Sequence, residues 1–101
     1  MSYLHYHFPA GIDAFSTGRD GGVSEGAYAS FNCTHYCGDK PEHVLANRHR
    51  LCADWHIADD RLIIPRQVHG VEMAVIDDAF LARPMAEREN MLEGVDALIS
   101  P

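Results

Sequence analysis

The chain has 101 residues, 47% of them hydrophobic and 23% charged, and a formal net charge of −7 with histidines counted neutral. That length fits one domain with moderate capacity to bury a core, and that apolar content argues against disorder. The acidic balance and the lack of any basic run argue against nucleic acid as a partner, and no apolar stretch approaches the roughly 20 residues of a membrane span.

The opening Met1-Ser2-Tyr3-Leu4-His5 lacks the charged and apolar regions of a secretory signal, so a cytoplasmic location is expected. Three cysteines, Cys33, Cys37 and Cys52, are an odd count and not a disulfide framework. Cys33-Thr34-His35-Tyr36-Cys37 would place ligands at i, i+2 and i+4 along a line, which suits a tetrahedral ion poorly. Core thiols are the expectation.

Tyr3 to Phe8 alternates Tyr3, His5 and His7 against Leu4, Tyr6 and Phe8, the period of a half-buried strand with the histidine face in solvent. Pro9-Ala10-Gly11 ends it, and Ile12 to Ser16 predicts a second short strand. Thr17 to Gly26 is glycine-rich and holds Arg19 and Ser24. Glycines let the backbone approach a ligand closely, so the loop reads either as an anion cradle of backbone amides or as a plain surface hairpin loop. It has neither the Walker nor the dinucleotide spacing. Tyr28 to Gly38, with Ser30, Asn32 and His35, reads as extended.

Asp39-Lys40-Pro41-Glu42 predicts a helix start, with Asp39 as cap, and the helix runs over about 41–55. Its apolar stripe is Val44, Leu45, Leu51, Cys52 and Trp55. Arg48 lies on that stripe, where it either pairs with a carboxylate or reaches into a pocket as a fork for phosphate or carboxylate. Asp59-Asp60-Arg61 is a turn. Leu62 to Ile64, Arg66 to His69 and Val71 to Ile76 read as strands, with Pro65 at a bend or an edge. Met85 to Leu92 can make two helical turns after Pro84, and Val95 to Ser100 reads as a strand.

His69, within Arg66-Gln67-Val68-His69-Gly70, sits between the apolar runs of this β-rich centre. A neutral imidazole there can act as metal ligand or general base. By spacing alone, a strand-end histidine bonded to a neighbouring carbonyl is the favoured reading of it.

Arg19-x-Gly21-Gly22-Val23-Ser24, Tyr28-x-Ser30-x-Asn32, His35 with Gly38-Asp39, Asn47-Arg48, Gln67-Val68-His69-Gly70 and Asp96-Ala97-Leu98 occur in one order. Together, over roughly residues 12 to 100, they resemble the N-terminal part of the laccase-domain family. Its members have been named multicopper polyphenol oxidases and peptidoglycan editing factors, and are better described as purine nucleoside phosphorylases. The resemblance implies an α+β fold of mixed β-sheets with flanking helices, and makes residues 1–101 the N-terminal portion of a larger domain.

The resemblance also implies a zinc-dependent enzyme that splits adenosine, inosine or guanosine with phosphate into base and ribose 1-phosphate. Adenosine deamination and methylthioadenosine phosphorolysis are possible side activities. His69 matches the first of three metal ligands; the others would come from a C-terminal segment, so the isolated chain is expected to be inactive. Arg19 and Arg48 are candidate phosphate or ribose contacts, and Ser24, Asn32, His35 and Gln67 candidates for orienting substrate or the His69 ring. Two alternatives are a copper-dependent polyphenol oxidoreductase and a non-catalytic fragment or cell-wall-precursor editing factor that associates through an open sheet edge.

Overall fold

The computed structural model describes residues 1–101 and divides them into two compact units, residues 1–59 and 60–101. Both combine a two-stranded sheet with helix, and the chain is α+β. No helix is long and apolar enough to cross a membrane.

In the first unit, β1 (Tyr3–Tyr6) and β2 (Ala14–Thr17) pair antiparallel, Tyr3 opposite Thr17 and Tyr6 opposite Ala14. The faces of β1 are the reverse of those expected. Tyr3 and His5 meet Phe15 and Trp55, whereas Leu4, Tyr6 and Phe8 are exposed. Phe15 and Trp55 stack in parallel at 4.2 Å, and Tyr3 meets each ring edge-on. Such aromatic pairs add about 0.5–1.5 kcal/mol each beyond area burial, so the tryptophan at the end of the helix, not the alternation of aliphatic residues, selects the packed face. Tyr3 also donates to Asp54 at 2.7 Å. Its burial and the Asp54 carboxylate push the phenol up to about 12.

Helix α1 (Pro41–Asp54) opens on proline, whose missing N–H costs nothing in a first turn. The cap position is Lys40, not Asp39. Asp39 accepts the Lys40 N–H at 2.8 Å and turns its other oxygen inward. Of the expected stripe, Val44 and Cys52 are buried while Leu45 is 65% exposed. Fully buried in mid-helix is a polar residue, Asn47, three positions after Val44 on the same face.

Asn47 ties irregular backbone to that helix. Its Oδ1 accepts from Val23 N–H at 2.8 Å, and its Nδ2 donates to Ser24 Oγ at 2.9 Å and to the Asn32 carbonyl at 2.8 Å. The Ser24 hydroxyl passes on to Asp39 Oδ2 at 2.5 Å, which also accepts from Asn32 Nδ2 at 3.1 Å. The Ser24 bond, above all, holds the Asp39 carboxyl below its ordinary 3.8; burial opposes it, while Asn32, the Lys40 amide and His43 assist. Gly22 is needed beside this network, because a Cβ there would lie 2.1 Å from the Ser30 carbonyl oxygen.

In the second unit, β3 (Met73–Val75) and β4 (Ala97–Ile99) pair in parallel, Met73 opposite Ala97. Between them run α2 (Asp78–Leu81), capped by Asp77, which accepts from Phe80 N–H at 2.9 Å, and α3 (Met85–Met91) after Pro84. Phe80, Leu92 and Val95 form the apolar core. The buried Arg88 crosses it, 5.7 Å over the Phe80 ring. Its guanidinium donates to the carbonyls of Arg83 at 3.1 Å, Asp60 at 2.7 Å and Leu81. A helix end leaves carbonyls without partners, and this arginine answers that need.

The expected strands at Leu62–Ile64 and Arg66–His69 do not form, and Val71–Ile76 contracts to β3. Pro65 has no N–H to give a ladder. Arg66 makes a single parallel bridge to Glu93, its N–H on the Leu92 carbonyl and its carbonyl accepting from Gly94 N–H, both at 3.0 Å. Beyond it the amides turn to a side chain instead of a neighbouring strand.

Two outcomes follow for stability. Asp39 favours the folded state above its ordinary value, and that contribution disappears as the pH falls below 3.8 and through the lowered folded value. The urea midpoint of Asp39→Asn is therefore expected to vary less between about pH 2 and 5 than that of the parent chain; parallel curves would refute the assignment. Arg88→Met leaves three carbonyls without their donor and is expected to lower unfolding free energy by about 3 kcal/mol, measured by urea denaturation. An unchanged midpoint would show that water replaces the guanidinium.

Candidate functional site

The sequence candidates separate between the two units. Arg19, Ser24, Asn32, His35 and Arg48 belong to the first, Gln67 and His69 to the second.

The glycine-rich loop is held by its own surroundings. The amides of Gly18, Gly22, Val23 and Ser24 bond to the Ser2 carbonyl, Ser30 Oγ, Asn47 Oδ1 and the Ser30 carbonyl at 2.8–3.2 Å. Those four are engaged by protein acceptors and do not face outward to an anion. The Arg19 carbonyl accepts from the amides of Ser30 and Phe31, both at 2.8 Å. The Arg19 side chain is exposed, with Nη2 at 3.2 Å from the Ala29 carbonyl. Ser24 and Asn32 serve the buried network around Asn47 and Asp39.

Arg48 is half-buried and reaches across to His35. Its Nε donates to the Cys33 carbonyl at 2.9 Å, and its Nη2 lies 3.0 Å from His35 Nδ1. A guanidinium only donates, so Nδ1 accepts, and the neutral ring carries its proton on Nε2. An exposed imidazole with a fixed tautomer and an arginine behind it is a pair suited to polar or anionic groups. Of the three thiols only Cys52 is fully buried; Cys33 is half-buried and Cys37 exposed. Burial pushes Cys52 and Cys33 up, against the pull of Arg48.

His69 is built differently. It is exposed and has φ 61°, in the left-handed region where a non-glycine residue is uncommon. The carboxylate of Asp96, which stands just before β4, takes three consecutive amides of this turn. Val68 N–H and His69 N–H donate to Oδ1 at 2.9 and 3.0 Å, and Gly70 N–H donates to Oδ2 at 2.5 Å. Burial raises the Asp96 carboxyl, but the three amides and the nearby His69 outweigh it and leave the group below its ordinary value. Gln67 is exposed between the Arg66 bridge and this turn. Neither the buried hub Asn47 nor the clamp Asp96 stood among the sequence candidates. The Asp96-Ala97-Leu98 motif was visible, but nothing local tells an aspartate that its partners lie 26 to 28 residues earlier.

A family named for its copper raises the question of a metal. No three His, Cys, Asp or Glu side chains of this chain group together as a metal holder. What the chain offers is one exposed imidazole on a fixed backbone, which fits a single ligand position and does not close a site.

The family described as multi-copper polyphenol oxidoreductase laccase matches residues 13–101. The purine nucleoside phosphorylase of Bacteroides thetaiotaomicron is 46% identical over 89 residues, covering 88% of this chain and 33% of that protein. An adenosine deaminase, RL5, of an unknown prokaryotic organism is 41% identical over 90 residues, or 89% of this chain and 34% of its own length. Purine nucleoside phosphorylase YfiH of Escherichia coli is 42% identical over 65 residues, or 64% and 26%. The chain thus spans about a third of the length of the first two of these relatives. With its match extending over nearly every residue, the chain belongs to the multi-copper polyphenol oxidoreductase laccase family.

Proposed function

We propose that residues 1–101 form the N-terminal portion of a zinc-dependent purine nucleoside phosphorylase of the cytoplasm, and that His69 supplies one metal ligand. The observation that carries this reading is the exposed imidazole of His69 on its left-handed, carboxylate-held turn, in a chain 46% identical to a protein named for that activity. One histidine on a rigid backbone suits a catalytic metal, which keeps few protein ligands and an open position.

In phosphorolysis a phosphate oxygen bonds to the ribosyl carbon as the bond from that carbon to the purine nitrogen breaks. The electron pair leaves with the base, which takes up a proton. The ribosyl carbon is cation-like in between, so phosphate must be held close to it. Arg19 and Arg48 are the residues we assign to phosphate or ribose, with His35 beside Arg48, and Gln67 to orienting substrate near His69. Ser24 and Asn32 act on substrate only through the loop they hold. A bound metal ion supplies an electrophile or an activated water, and the latter role suits adenosine deamination. The relative named adenosine deaminase, 41% identical over 90 residues, favours that second activity.

Phosphate-dependent release of adenine from adenosine, followed by chromatography in the family-length enzyme carrying this chain, tests the reading. His69→Ala is expected to reduce release to background together with bound zinc; full activity in that variant overturns the assignment. Arg48→Met is expected to raise the phosphate KM about tenfold, the value of one charge-assisted hydrogen bond. An unchanged phosphate KM removes Arg48 from the phosphate site. Activity that tracks added copper, with a visible charge-transfer band, would favour the oxidoreductase that the family is named for.

A further inference from the structure

We infer that Asp96 is the positioning residue for His69: its carboxylate sets the backbone of Val68–Gly70 in the left-handed turn that presents the imidazole outward. The inference rests on the reading of His69 as a metal ligand and adds to it the group that makes the ligand rigid.

Three observations meet at this aspartate. First, both of its oxygens are used, and by successive amides, Oδ1 by Val68 and His69 and Oδ2 by Gly70. Consecutive N–H groups converge on one anion only where the backbone curls into a concave turn, and here the anion is part of the protein. Second, the carboxylate is itself held. The Asp96 N–H donates to the Glu72 carbonyl at 3.0 Å, and the next residue is already in register with Met73 across the parallel sheet. The turn and its clamp therefore leave from paired strands and close on each other. Third, the chain leaves room for the approach. A Cβ on Gly70 would come within 3.2 Å of Asp96 Oδ2, so glycine lets the carboxylate sit this close.

The left-handed conformation costs a non-glycine residue roughly 1–2 kcal/mol and is kept only where surroundings impose it. With the carboxylate gone, His69 is free to return to negative φ, and its Cα–Cβ bond then points elsewhere. Asp96 makes no bond to the imidazole; it acts through the main chain. That separates it from the usual outer partner of a metal-bound histidine, which takes the second ring nitrogen.

The test uses Asp96→Asn, which keeps size and one carbonyl oxygen but turns an NH2 group toward an amide, and Gly70→Ala, which pushes on Oδ2 without touching the charge. Amide exchange by NMR on the 101-residue chain reads the clamp. Zinc affinity of the family-length enzyme, by competition with a chromophoric chelator, reads the ligand, with His69→Ala as reference. The expected result is loss of protection at Val68, His69 and Gly70 in Asp96→Asn, with zinc affinity lowered about tenfold or more. A smaller drop in the same direction is expected for Gly70→Ala, and the deepest loss for His69→Ala. If Asp96→Asn or Gly70→Ala frees the amides and zinc binds as in the parent, while His69→Ala still loses it, the positioning role is overturned and the ligand reading stands. If His69→Ala binds zinc like the parent, the ligand reading falls and this inference with it. Should Asp96→Asn not fold, Gly70→Ala alone decides between the same outcomes.

Discussion

A peptide group taken out of water must find a partner, and in this chain several of the partners that hold irregular backbone are side chains. Only five hydrophobic residues, Val44, Cys52, Phe80, Leu92 and Val95, are buried, against three polar or charged ones, Ser24, Asn47 and Arg88. So small an apolar core cannot by itself hold long irregular segments. Polar side chains link those segments to helix and sheet instead. Asn47 joins the glycine-rich loop and the Asn32 region to α1, Arg88 collects the carbonyls of Leu81 and Arg83 at the end of α2 and that of Asp60, and Asp96 gathers the turn of His69. Each replaces a stretch of regular ladder with a few directed bonds.

This economy explains the geometry of the candidate site. Where a side chain supplies the acceptor, the backbone need not be extended or helical, and can hold conformations a ladder would forbid. The left-handed His69 is one result. The tautomer of His35 is set the opposite way, by a donor: Arg48 can only donate, so Nδ1 accepts. Arg48 acts on the imidazole of His35 directly, whereas Asp96 acts on the main chain of His69. The surface ion pair of Arg66 with Glu93, half-exposed on both sides, adds little beside the backbone bridge it accompanies.

What could be read from the sequence follows the same division. Helix α1 and the strands β1, β2 and β4 are legible because local pattern decides them, while the turn expected at Asp59–Arg61 is a short 3-10 helix. Proline in a first turn, alternation and glycine boundaries all act over a few residues. Over Leu62–His69 no strand forms, because apolar, β-branched composition does not determine where the amides go, and Asp96, which takes those of Val68 and His69, is distant in sequence. The reversed face of β1 has the same cause, since Trp55 decides it from across the unit. Asn47 carries no apolar signal, although its spacing from Val44 and Leu51 places it on the buried line. His69 was legible as a motif. Its conformation was not.

The distance between His69 and Asp96 has a kinetic side. The β1–β2 hairpin closes over about a dozen residues and can form while little else has. The turn at His69 is completed by an aspartate 27 positions later, in a strand that pairs in parallel and so cannot be reached through a tight turn. Bringing such ends together requires the intervening chain to be confined before any bond rewards it. As the polypeptide emerges and folds, the histidine is therefore present well before its final conformation exists, and the stretch that presents it matures only when β4 has docked.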